Sequence, residues 1–234
     1  MGTTGAGAAR RNLRRLQQQI LELVFPTRCV GCRAGGEIWC RACQARLVGV
    51  AAPVCLACRR EILAPTHACP DSAARAWAAA RYRPPLDRAL THLKYRPDPR
   101  LIGYLASRLE QTYVHAHLEA SCAVAVPLGA QRWSRRGYNQ AELLGRALAE
   151  SLRLPFYPSA ACRIRETESQ VGLDPKARWT NVEGAFQADA SFVRGHIVLL
   201  IDDVHTTGAT LAACAAALTQ AGAAGVVALT VARA

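Results

Sequence analysis

The sequence is short of several things, and each shortage narrows the reading. Its 234 residues contain one methionine and 6% aromatics, too few rings for an extended base-stacking platform. No apolar run approaches the roughly 18 residues of a membrane-spanning helix. No apolar segment follows the basic residues near the start, so a secretory signal peptide is not expected and a cytoplasmic location is. Ala6 stands where N-myristoylation wants Ser or Thr. Charged residues are 20% and apolar residues 51%, a balance that excludes disordered and fibrous classes.

Lysine is nearly absent. Only Lys94 and Lys176 occur among 29 basic residues, against 17 acidic ones, for a net charge of +12. That charge favours anionic partners such as phosphates, nucleic acid or acidic surfaces, although a general arginine and alanine bias accounts for part of it. The length suits one large domain plus a small module.

Cysteine is plentiful and unevenly placed. Seven of the ten lie between residues 29 and 69, as Cys29-x2-Cys32-x7-Cys40-x2-Cys43 and then Cys55-x2-Cys58-x10-Cys69. Each C-x2-C turn brings two thiolates to one ion, and Zn²⁺ takes four ligands in a tetrahedron. In a reducing compartment such a pattern is a metal framework rather than a disulfide one. The first four cysteines complete a structural zinc site. The second set lacks a fourth cysteine, since position 72 is Ser72. His67 or Asp71 supplies the missing ligand, or the site stays empty, and a cross-braced pairing is also open. Zinc would carry much of the folding energy of so small a module.

Ahead of the module, Leu13, Leu16, Ile20 and Leu23/Val24 recur at helical spacing behind Arg10, Arg11, Arg14 and Arg15. Residues 1–24 read as a tail and an amphipathic helix, and residues 25–75 as a double zinc-finger-like module. Residues 76–234 read as a larger α/β domain.

In that domain helix and strand alternate. Residues 76–83, 122–126, 196–201 and 226–231 read as strands, and residues 139–152 and 208–221 as helices. Leu86, Leu90 and Leu93 share one helix face, as do Leu101, Leu105 and Leu109. Such βαβ alternation predicts a mostly parallel sheet, with ligands beyond the carboxyl ends of the strands.

One such end stands out. The apolar run from Ile197 ends in Asp202-Asp203, followed by Val204-His205-Thr206-Thr207-Gly208-Ala209-Thr210 and a helix. Amides at a helix N-terminus cradle anions, and Gly208 admits a phosphate closely. Thr206, Thr207 and Thr210 add hydroxyls, and two carboxylates beside a phosphate suit a sugar diol or Mg²⁺. An ordinary N-cap needs no such set. The loop is not a Walker A motif, because the Gly-Lys-Ser/Thr ending is missing. His205 titrates near neutrality or is merely hydrogen-bonded at the strand end.

These residues resemble the PRPP (phosphoribosyl pyrophosphate) motif of type I phosphoribosyltransferases. From about residue 20 onward the chain resembles the ComF family, the competence-protein-F and GntX-like proteins. Supporting stretches are Val126-Pro127-Leu128 with Arg132 and Arg136-Gly137-Tyr138-Asn139-Gln140, then Gln170-x-Gly172-Leu173 with Arg178 and Asn181-Val182-x-Gly184-Ala185-Phe186, and Leu93-Lys94-Tyr95. The resemblance implies an α/β fold of the type I phosphoribosyltransferase kind behind a small cysteine-rich zinc module. It implies that Asp202 and Asp203 hold the ribose hydroxyls directly or through Mg²⁺. Thr206, Thr207, Gly208, Ala209 and Thr210 would bind the 5-phosphate, and Arg132, Arg135 and Arg136 the pyrophosphate. The polar stretch 163–181, with Gln170, Gly172, Lys176 and Arg178, would form a lid that excludes water. Where some relatives carry a carboxylate base the chain has Thr206, and Gly129 and Ser134 also depart from the family pattern.

Three functions compete. The first is a Mg²⁺-dependent phosphoribosyltransferase, a glycosyltransferase moving a pentosyl group to an unidentified acceptor. The second is a non-catalytic PRPP sensor or adaptor engaging single-stranded DNA or a protein. The third is a scaffold, disfavoured by the intact Asp202-Asp203 pair. The resemblance also implies a role in competence and DNA uptake with a helicase-like partner. Trp133, Tyr138 and Trp179 either stack on a base or pack in the core.

Overall fold

The computed structural model describes residues 26–63, 67, 69, 74–166 and 175–234, with residues 175–178 described by their backbone alone. The expected helix over residues 10–24 and the tail before it lie outside the described residues. The chain divides into two compact units, Met1–Arg46 and Leu47–Ala234.

In the first unit the chain turns tightly around Cys29. The Arg33 N–H donates to the Cys29 carbonyl at 2.8 Å, and the Cys29 N–H donates to Ala34 at 2.8 Å. Arg33 takes a left-handed φ of 66° to close the turn. An antiparallel bridge joins Arg28 and Gly35, and helix α1 (Arg41–Ala45) turns Cys43 inward. The buried apolar side chains described here are Cys29, Trp39 and Cys43. So small a core needs a metal or another staple to persist.

The second unit runs β1 (Val54–Cys55), β2 (Arg75–Arg81), α2 (Leu86–Leu93), α3 (Pro99–His115), β3 (Cys122–Ala125), α4 (Ala130–Arg136), α5 (Gln140–Leu152), β4 (Ala161–Arg163), α6 (Pro175–Val182), β5 (Phe186–Ala188), α7 (Ala190–Val193), β6 (Ile197–His205), α8 (Ala209–Gln220) and β7 (Gly225–Arg233). Among the described residues, one sheet has the order β1-β2-β7-β6-β3, and β4 and β5 form a second, two-stranded sheet. The β2–β7, β7–β6 and β6–β3 pairs are parallel, and β1 adds antiparallel to β2. This is the mostly parallel α/β architecture expected from the alternation.

Strand β6 is the spine. Val198, Leu199, Leu200 and Ile201 are all fully buried, each contributing roughly 1.5–3 kcal/mol of apolar burial. Alternate residues face opposite layers. Leu200 packs with Leu211, Cys214 and Leu218 of α8. Ile201 faces α5, where a Cβ on Gly145 would sit 2.8 Å from the Phe156 ring and 3.4 Å from Ile201. Glycine inside that helix therefore lets α5 close onto the sheet. On the α5 side the leucines expected to share faces, from Leu86 to Leu109, are buried completely.

The strand runs farther than the sequence suggests. The sequence reads a strand over 196–201 that ends in Asp202-Asp203, yet β6 continues through His205. The ladder to β7 explains this, pairing Asp202 with Thr230, Val204 with Ala232 and His205 with Arg233. The turn into α8 is thereby reduced to Thr206-Thr207-Gly208. No helix among the described residues is long and apolar enough to cross a membrane.

Candidate functional site

The carboxyl ends of β6 and β3 open on one cavity of about 470 Å³. Its lining includes Lys94, Arg132, Arg136, Arg163, Asp202, Asp203 and the whole stretch Thr206–Thr210. Four cations and two carboxylates thus share a small volume at the N-terminus of α8. Arg135 stands apart, exposed on the outer side of α4. Gln170 and Gly172 lie outside the described residues, and Lys176 and Arg178 are placed on the backbone of α6 only.

The acidic doublet divides its two side chains by strand alternation. The Asp203 N–H donates to Asp202 Oδ1 at 2.8 Å. Asp203 is 6% exposed. Its Oδ2 accepts from Gln140 Nε2 at 3.4 Å and lies 3.8 Å from Lys94 Nζ. Burial, reinforced by the charge of Asp203, raises the proton affinity of Asp202 well above the usual carboxylate range, against a smaller opposing effect of Lys94.

The turn beyond joins β6 to α8 through Thr206, Thr207 and Gly208. Gly208 has φ 78° and serves as N-cap without a side-chain hydrogen bond of its own. The Thr207 hydroxyl accepts weakly from the Ala209 N–H at 3.4 Å. His205 is no proton shuttle here. It is 4% exposed, its Nδ1 lies 2.8 Å from Thr230 Oγ1, and burial lowers its pKa to about 4. Of the two expectations for this residue, the hydrogen-bonded one describes it, and the imidazole is neutral at neutral pH. The Thr230 hydroxyl also reaches the Trp77 carbonyl at 3.3 Å, which suits Nδ1 as donor to threonine.

Opposite the doublet, each residue of the stretch 136–140 has a mechanical role. Arg136 donates to Gln140 Oε1 at 2.9 Å. Gly137 ends α4 in a left-handed conformation. The Tyr138 hydroxyl donates to the Leu93 carbonyl at 2.7 Å, fixing the end of α2 that carries Lys94. Asn139 caps α5 through the Ala141 N–H at 3.0 Å and donates to the Val126 carbonyl at 2.9 Å. Tyr138 is therefore a tether, and Trp133 is exposed on α4. Trp179 lies beneath the Arg59 guanidinium, 3.9 Å from the ring centroid.

Arg163 reaches the cavity from β4. Desolvation lowers its pKa, followed by repulsion from Arg132, which marks a cation held close to another cation. Sequence reading missed it because it belongs to the two-stranded sheet, far from the loop motifs. Partial burial of a guanidinium near a second one was not visible in the order of residues.

The cysteines gather into two separate clusters, Cys29/Cys32/Cys40/Cys43 and Cys55/Cys58/His67/Cys69, each with ligand atoms within 4.8 Å of one another. Among the described residues the grouping is sequential rather than cross-braced, and His67 stands with Cys55, Cys58 and Cys69 as the fourth candidate ligand, while Asp71 lies outside the described residues. Cys29–Cys43 and Cys32–Cys40 sulfur distances are both 3.6 Å. That is near the ~3.8 Å edge of a Zn–S tetrahedron and far from the ~2.05 Å of a disulfide. Burial opposes ionisation of Cys29, but N–H groups of Cys40, Cys32 and Gly31 outweigh it and bring the thiol to about 6. At Cys55 burial is likewise outweighed, by the Cys58 N–H, His67 and the Ala57 N–H, again to about 6. The four-ligand geometry of each cluster fits structural Zn²⁺.

Residues 20–73 match the double zinc ribbon domain family. The chain is similar to DNA utilization protein YhgH of Salmonella typhimurium, 31% identical over 217 residues that cover 86% of this chain and 95% of the relative. It is similar to competence protein F of Haemophilus influenzae, 31% identical over 209 residues covering 80% and 88%. The match to YhgH of Escherichia coli, 34% identical over 152 residues, spans 66% of that relative's length. Among solved structures, glutamine phosphoribosylpyrophosphate amidotransferase of Bacillus subtilis, complexed with ADP and GMP, shares 21% identity over 59% of this chain and 30% of that one, with a TM-score of 0.41.

Proposed function

This chain belongs to the family of DNA utilization protein YhgH and competence protein F, and on that premise we propose that its cavity binds PRPP with Mg²⁺ and transfers the phosphoribosyl group to a nucleophilic acceptor. The observation that carries the reading is the lining of one small cavity. An acidic doublet, the Thr206–Thr210 turn at the N-terminus of α8, and four cations converge there. A sugar bearing a phosphate at one end and a pyrophosphate at the other matches that sequence of charges.

The 5-phosphate sits on the amides and hydroxyls of Thr206 to Thr210. Arg132 and Arg136, joined by Arg163, take the pyrophosphate, where guanidinium forks bond phosphoryl oxygens in pairs. Asp202 and Asp203 hold the ribose diol directly or through the metal, and an all-oxygen carboxylate pair is the donor set Mg²⁺ accepts. When bound, Mg²⁺ offsets charge on the departing pyrophosphate. During transfer the C1–O bond to pyrophosphate breaks, C1 gains positive charge, and the acceptor's lone pair closes the new bond as its proton leaves. The arginines stabilise the leaving group, which is the electrostatic part of the catalysis.

A second reading, PRPP sensing without turnover, has one observation in its favour. Thr206 is a poor base, His205 is buried and neutral, and among the described residues the lining carboxylates are Asp202 and Asp203 alone. An acceptor must then arrive needing little help to lose its proton. Incubation with PRPP, Mg²⁺ and a panel of nitrogenous bases, followed by pyrophosphate release, separates the two. Release with one base supports the transferase. Calorimetric binding of PRPP without release leaves the sensor, and absence of binding defeats both. Asp202→Asn/Asp203→Asn should abolish the Mg²⁺-dependent part of binding.

The relatives' names place them in DNA use and competence. In line with this, single-stranded DNA and a helicase-like protein are proposed as partners of this chain, drawn by its net charge of +12. Binding of this kind weakens steeply with salt. A DNA affinity that ignores salt would argue against it.

A further inference from the structure

Lys94 is the cation whose chemistry the sequence does not explain by composition. Arginine serves at 27 of 29 basic positions, yet the cavity takes one of the two lysines. Its placement is tightly prepared. It caps α2, the adjacent Leu93 is fully buried, and the Leu93 carbonyl is held by Tyr138. From this fixed base a flexible stem carries Nζ to 3.8 Å from Asp203 Oδ2, with about a third of the side chain, 30%, open to solvent. The same charge acts on Asp202. A divalent cation at the doublet would compete with this ammonium for Asp203.

We propose that Lys94 is a displaceable counter-ion of the acidic doublet. It balances Asp203 while the cavity is empty and swings to a phosphoryl oxygen when metal and PRPP arrive together. An ammonium suits this exchange. It is a compact point charge on a rotatable stem, whereas a guanidinium fork locks bidentately onto a carboxylate. The consequence is coupling. Metal alone meets four cations and an occupied carboxylate. Metal arriving with a polyanion meets a lysine that has somewhere better to go. Each ligand therefore raises the affinity of the other by the same factor. This inference rests on the PRPP reading, but its central measurement does not need PRPP.

The test is Mn²⁺ binding to the full chain, followed by electron paramagnetic resonance or calorimetry, with and without PRPP. In the wild type, Mn²⁺ alone binds weakly and PRPP strengthens it. Lys94→Met keeps the stem and removes the charge. It should bind Mn²⁺ alone more tightly, by about tenfold, within the usual range of coupling factors. It should bind PRPP more weakly, and the mutual enhancement should shrink. Lys94→Arg should restore weak binding of Mn²⁺ alone. A merely structural residue would weaken both ligands together and lower the melting temperature. Mn²⁺ affinity that is unchanged or reduced in Lys94→Met overturns the counter-ion. A wild type that binds Mn²⁺ but never PRPP overturns the phosphoribosyl reading instead, with the Mn²⁺ comparison still deciding the role of Lys94 at the doublet.

Discussion

Leu56 packs against Gly208: its Cδ2 lies 3.0 Å from where a Cβ on that glycine would stand. Leu56 follows Cys55, a ligand of the second metal cluster, and is 4% exposed within the apolar cluster beneath α8. The Cys55–Cys58 turn and the Thr206–Gly208 turn are thus neighbours in space, though 152 positions separate Leu56 and Gly208. Gly208→Ala meets two obstacles, the φ of 78°, which costs an L-residue roughly 1–2 kcal/mol, and the Leu56 methyl. PRPP affinity should fall about tenfold or more, in line with that strain. Adding Leu56→Ala relieves the contact but not the backbone strain. Calorimetry on the double variant should therefore recover only part of the loss, and full recovery would show that φ does not matter.

Two zinc ions should be present per chain, and the second should depend on His67. His67→Ala leaves Cys55, Cys58 and Cys69 with three thiolates, so plasma emission analysis should find close to one zinc. His67→Cys supplies a fourth thiolate and should retain two. Because Leu56 sits beside Cys55, loss of the second ion should also weaken PRPP binding. Two ions bound in His67→Ala would transfer the ligand role to another residue.

The cysteine clusters were legible because C-x2-C spacing is local, and the Thr206–Thr210 turn that lines the cavity because its residues are consecutive. Positions joined only by the fold were not. His67 could not be told from Asp71 until the chain closed around Cys58, 3.4 Å from the His67 ring. Arg163 gave no signal, since its approach to Arg132 depends on pairing of β4 with β5. Lys94 was visible within Leu93-Lys94-Tyr95, yet its partner Asp203 lies 109 residues on. Strand β6 was read too short because charged Asp202 and Asp203 interrupt the apolar run. The ladder with β7 carries the backbone through them regardless of side-chain polarity.

His205 makes stability acid-sensitive in a defined window. Its folded pKa of about 4 lies below the reference value of 6.5. The unfolded chain therefore takes up a proton first as pH falls. The stabilisation is complete above 6.5 and is lost progressively down to about 4. Integrated over that window the contribution is on the order of 3 kcal/mol. His205→Leu should flatten the fall in melting temperature between pH 7 and 4 relative to the wild type. Asp202 has the opposite sign. Its raised proton affinity favours the folded state at low pH and disfavours it as pH rises above the ordinary carboxylate value. Asp202→Asn should steepen the acid loss, and parallel profiles for both variants and the wild type would contradict these assignments.

Tyr138 connects the arginine helix to the lysine, and that connection can be cut by one oxygen atom. Its hydroxyl donates to the Leu93 carbonyl at 2.7 Å, while Gly137 before it ends α4 and Asn139 after it caps α5. Tyr138→Phe keeps the ring and removes the bond, so the expected stability loss is about 1 kcal/mol. If the bond only holds the fold together, ligand affinities stay as they are. If it positions Lys94 against Asp203, the variant should behave as a mild Lys94→Met. Mn²⁺ alone should bind somewhat more tightly, PRPP more weakly, and the enhancement of each by the other should diminish. Measured beside a control of equal stability loss elsewhere, such as Leu144→Val in the buried face of α5, the two cases separate cleanly, because the control lowers the melting temperature without changing how metal and PRPP influence one another.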